Sequence, residues 1–134
     1  MTSPVTGAVT GATGTRVSVW VWRILFVAAC ALQLYGVYAP REAGPNLGIP
    51  QIDKIAHCFL FASVAFLGLK VRVPAGWLLG ALVANAIVSE LVQHYLLPQR
   101  DGDVLDALAD LAGVAVGAWI GFRVLRGTRL PGTT

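Results

Sequence analysis

Eight residues of this 134-residue chain have types and spacings from which chemistry can be built: Asp53, Lys54, His57, Glu90, Gln93, Arg100, Asp106 and Asp110. Asp53 and His57 are four apart, Glu90 and Gln93 three, and Asp106 and Asp110 four. On helices, each set makes a stripe along one face. A histidine among carboxylates can move protons, and the carboxylates can hold a divalent cation. Lys54, Arg100 and a protonated His57 can meet a phosphate. The chain has no serine nucleophile elbow, His-Glu-x-x-His pair or glycine-rich phosphate loop, so a catalytic reading would rest on the acid cluster alone. No dedicated metal motif is present.

The elements that must position these residues are hydrophobic. The apolar share is 56% and the charged share 13%, against roughly 45–50% and 25% in soluble domains. The excess apolar surface therefore faces lipid. A bilayer core needs roughly 20 apolar residues per helix, and suitable runs fall at 17–38, 54–69, 75–97 and 103–125. The second is shortest and spans if Lys54 and Lys70 reach out from its ends. Pro/Gly-containing stretches at 40–52, 70–74 and 98–102 separate the runs. The expectation is an all-α four-transmembrane-helix bundle over 16–126, between disordered tails at 1–15 and 127–134. Val27-Ala28-Ala29-Cys30 resembles a lipoprotein cleavage box, but Arg23 interrupts the apolar run such a signal needs. Cys30 and Cys58 sit in apolar stretches and read as small buried hydrophobes.

If the chain crosses four times, Arg16, Arg23, Lys70, Arg72, Arg123, Arg126 and Arg129 fall at one face, against Arg41, Lys54 and Arg100 at the other. The positive-inside rule then places both termini in the cytoplasm. All seven acids fall in the outer half, the four tryptophans toward the inner face and the three tyrosines toward the outer. The net charge of +3 thus reflects membrane orientation, and no nucleic-acid partner is expected.

At about 1.5 Å per residue, His57 lies about 5 Å below the outer end of its helix, and Glu90 and Asp110 about 10 Å below theirs. A carboxylate this deep costs roughly 3 kcal/mol on insertion scales, so Glu90 and Asp110 should face each other, a cation or water rather than lipid. The expectation is one water-accessible, outward-opening pocket between the second, third and fourth helices that also takes in Arg100. Below Asp110 the stripe continues as Gly113, Gly117 and Gly121, a ridge for close helix approach, with Gly76, Gly80 and Ala84 as an apparent match. Asp103 reads as a helix cap, His94 as a headgroup-level residue, and Asn85 and Ser89 as interhelical hydrogen-bonders.

The ordered set Asp53-Lys54-x-x-His57, Glu90-x-x-Gln93, Arg100 and Asp106-x-x-x-Asp110-x-x-Gly113-x-x-x-Gly117 resembles the signature of the VanZ-like family of bacterial membrane proteins. The match runs over 52–121. The resemblance implies a small helical module of the plasma membrane and a link to teicoplanin susceptibility. Position 110 departs from the family's usual Asn. Three functions compete. The first is binding of an anionic lipid-linked ligand, such as a polyprenyl phosphate or peptidoglycan precursor, with a divalent cation as one conceivable bridge. The second is acid/base or metal-assisted transfer on such a lipid. The third is a non-catalytic scaffold that packs on a membrane-protein partner through the glycine ridges. An ion pathway is disfavoured, because the inner helix halves carry no acids.

Overall fold

The computed structural model of the protein describes residues 13–39, 52–97 and 104–127. They form four helices: α1 (Thr13–Tyr38), α2 (Ile52–Lys70), α3 (Ala75–Leu96) and α4 (Val104–Gly127). No strand occurs among the described residues. Each helix is long and apolar enough to cross a membrane, and together they define an integral membrane protein. Helix is the form these sequences must take in lipid, because it satisfies every backbone N–H and C=O within the segment. Thr13 to Thr15 and Gly127, expected in the tails, are helical. Adding a residue to an existing helix costs little, so apolarity does not fix the ends. Residues 1–12 and 128–134 lie outside the described residues.

Many large apolar side chains point outward, among them Trp77, Phe59, Ile55, Val27 and Ile24. These are lipid-facing positions. The core is a narrow seam of Phe61, Val64, Ala65, Leu69, Leu78, Leu82, Ala86 and Val114.

Helices α2 and α4 run parallel. Lys54 meets Asp106, His57 meets Asp110, and farther along Cys58 meets Gly113 and Ala62 meets Gly117. A methyl group added at Gly113 would strike the Cys58 carbonyl, and one at Gly117 the Ala62 carbonyl; one at Gly121 would lie 2.8 Å from Leu69 Cδ1. Two backbones thus touch along two turns. This corrects the expected pairing of the ridge with α3: a side chain at Gly76 or Gly80 would meet nothing within 4 Å. The partner ridge is Cys58 and Ala62, themselves small and four apart. Cys30 and Cys58 are free thiols, both half-buried.

The α2–α3 connector ends α2 with two nested bonds, Val73 N–H to Gly68 O (2.9 Å) and Arg72 N–H to Leu69 O (3.0 Å). Arg72, at φ 66°, takes the left-handed position usually given to glycine, and Pro74 follows. The tight reversal lays α3 antiparallel against α2, with Gly68 against Leu78. At this same end, Arg23 stacks over Trp20, Lys70 over Trp22 and Arg123 over Trp119, at 5.1–5.3 Å. Three cation–aromatic pairs are the composition of a membrane–water boundary.

A buried His–carboxylate cluster as candidate functional site

At the opposite end, the starts of the parallel α2 and α4 stand side by side, with Asp53 and Asp106 in their first turns. Acids there complement the positive ends of two helix dipoles, each worth roughly 0.3–1 kcal/mol. Lys54 Nζ donates to Asp106 Oδ1 at 2.7 Å; the Lys54 side chain keeps 26% of its surface exposed and Asp106 8%. This pair forms the rim.

One turn deeper, His57 Nδ1 lies 3.0 Å from Asp110 Oδ1, with the two side chains 3% and 0% exposed. The other ring nitrogen, Nε2, faces Asp53 Oδ1 at 3.8 Å. His57 is thus flanked by carboxylates on both sides. From α3, Glu90 completes the set: one ligand atom each from His57, Glu90 and Asp110 lie within 4.8 Å of one another, as do one each from Asp53, His57 and Asp106. The second oxygen of Asp110, Oδ2, is buried without a hydrogen-bond partner among the described residues.

Three helices therefore contribute ionisable groups to one cluster, with Glu90 beside Asp110. The mouth of the expected outward-opening pocket, with Arg100, falls outside the described residues. Among the described residues, His57, Asp106 and Asp110 are buried, with His57 bonded directly to Asp110 and Asp106 to Lys54. Asp103 and the 40–51 stretch also lie outside the described residues.

Gln93 departs from the cluster. Its side-chain amide donates to Val37 O of α1 at 2.8 Å, tying α3 to α1. Tyr38 Oη makes a second such tie to Asn85 Oδ1 at 2.7 Å, the interhelical role expected of Asn85. Ser89 instead bonds within its own helix, to Ala86 O at 3.0 Å. His94 is exposed and stacks edge-on with Tyr95, as a headgroup-level residue would. The buried polar residue that sequence reasoning missed is Gln33, whose Nε2 has no hydrogen-bond partner among the described residues. An amide in the middle of the apolar run of α1 was the available signal.

Chemically, the arrangement can hold a proton or a cation between His57 and its carboxylates and present an ammonium at the rim. Comparison of the chain with protein-family models, with curated proteins and with solved structures gives no match to any of them.

Proposed function

We propose that the protein is a bacterial plasma-membrane protein that binds the anionic headgroup of a lipid-linked or cell-wall-related ligand at the His57–Asp110 end of its bundle. The observation that carries this reading is the convergence of His57, Asp110 and Glu90, from three helices, into one buried cluster beneath the Lys54–Asp106 rim. Ionisable groups at such depth are costly and mark function by default. Two helix N-termini and Lys54 at this end favour an anion at the rim. The carboxylates beneath hold the cationic groups in place. The resemblance to the VanZ-like family extends the reading to glycopeptide susceptibility. The scaffold alternative is weakened, because Gly113, Gly117 and Gly121 are already filled by α2.

In this reading the site faces outward and both termini face the cytoplasm, by the distribution of basic residues. A reporter fused after Thr134 should therefore read as cytoplasmic; an external signal would reverse the orientation. The ligand is tested in nanodiscs of neutral lipid by titrating a polyprenyl phosphate against the matching polyprenol. The phosphate should bind and the alcohol should not, and Lys54→Gln should weaken phosphate binding about tenfold, the loss of one charge-assisted hydrogen bond. Equal affinity for phosphate and alcohol would reject an anionic headgroup.

A further inference from the structure

We propose that His57, Glu90 and Asp110 form a binding site for one divalent transition-metal ion of the Zn²⁺ or Mn²⁺ class, with Asp53 orienting the imidazole. The proposal deepens the reading of the same site, and its test uses metal alone, so failure of lipid binding and failure of metal binding are separately visible.

Charge gives the first argument. Glu90 and Asp110 lie together in a part of the bundle where Asp110 is fully buried, and two carboxylates there neutralise one M²⁺ ion. The Asp110 Oδ2 atom gives the second. It is buried with no hydrogen-bond partner among the described residues, whereas buried carboxylate oxygens ordinarily have one. A cation would complete its coordination.

Geometry gives the third. The three ligand atoms lie within 4.8 Å of one another. Metal–ligand bonds of about 2.0–2.2 Å set ligand–ligand edges near 3.3 Å in a tetrahedron, so modest side-chain rotations bring the set onto one ion. The contact from His57 Nδ1 to Asp110 Oδ1, at 3.0 Å, is already about one edge long.

The His57 ring has two sides, and they are not equivalent. On the Nε2 side, Asp53 and Asp106 form the other three-residue group, but Asp106 is bonded to the Lys54 ammonium at 2.7 Å, which opposes a second cation. Asp53 lies 3.8 Å from Nε2 and is more exposed. It fits the role of the carboxylate that accepts Nε2–H while the opposite nitrogen binds metal, the usual partner of a metal-ligating histidine. The ion therefore belongs on the Nδ1 side. One imidazole with two carboxylates favours Zn²⁺ or Mn²⁺ over the all-oxygen preference of Mg²⁺ and Ca²⁺.

The test is metal stoichiometry on the full chain in detergent, stripped with chelator and then equilibrated with Zn²⁺ or Mn²⁺. About one ion per chain should bind, with a dissociation constant below about 0.1 mM. Glu90→Gln and Asp110→Asn, checked for folding by size exclusion, should each weaken binding at least about tenfold. His94→Ala, which removes the exposed histidine, should leave it unchanged. The Co²⁺-loaded wild type should show the visible absorption of a low-coordinate nitrogen/oxygen site, a readout that needs no variant. Substoichiometric metal in the wild type would overturn the proposal. So would binding abolished by Asp106→Asn but unaffected by Glu90→Gln, which would put the ion on the other side of the ring.

Discussion

Gly117→Leu should leave almost no folded protein, whereas Gly80→Leu should fold as the wild type does. Both are glycines on apolar helices, so their helix propensities and hydropathy changes are alike. Their surroundings differ. A Cβ at position 117 would collide with the Ala62 carbonyl and lie 2.8 Å from its carbonyl carbon and Cα, while one at position 80 meets nothing within 4 Å. Backbone cannot rotate away as a side chain can. The α2–α4 pair would have to separate, and a shift of about 1 Å at that seam also stretches the His57–Asp110 and Lys54–Asp106 bonds above it. Overpacking a rigid core typically costs about 1–3 kcal/mol, and loss of the polar pairs adds to it. The monodisperse size-exclusion peak and its thermal midpoint report the outcome. Normal folding of Gly117→Leu would mean that α4 presents a different face to α2.

His57→Leu should destabilise the bundle by about 3–5 kcal/mol, and adding Asp110→Ala should restore most of that loss. Removing the imidazole strands a buried carboxylate, and an uncompensated buried charge costs far more than the pair itself contributes. The double change nearly conserves the summed volume and leaves an apolar contact in its place. Asp53, half-exposed, tolerates loss of its distant partner more easily. Equilibrium unfolding of the two variants in one detergent measures the difference. Equal stability of the single and double variants would show that His57 and Asp110 are not energetically coupled.

Much of this was legible in the sequence. The four helices follow from apolar runs broken by Pro and Gly, and the depth argument for His57, Glu90 and Asp110 correctly brings three helices to one cluster. The partner of the glycine ridge is α2, not the α3 that the small residues at 76, 80 and 84 suggest. Periodicity shows which face of α4 is smooth but not which helix covers it, and Gly76 and Gly80 match the pattern as well as Cys58 and Ala62 do. The register of the acids holds the answer: once His57 is opposite Asp110 on parallel helices, the residues that follow on both must meet, which brings Cys58 to Gly113 and, one turn on, Ala62 to Gly117. Gln93 shows a similar limit. Three residues from Glu90 it sits about 60° round the helix, far enough to reach α1 instead of the cluster. The direct His57–Asp110 bond depends on how near the α2 and α4 backbones come, a distance that no spacing rule encodes.

The central claim is that this buried polar cluster exists for a ligand and not for the fold. Its most direct test is the polyprenyl phosphate titration carried out on the His57→Leu/Asp110→Ala protein in nanodiscs. This folded variant should bind the phosphate at least about tenfold more weakly than the wild type, a loss of roughly 1.4 kcal/mol. Wild-type affinity in the folded double variant would contradict it and leave the cluster a structural device alone.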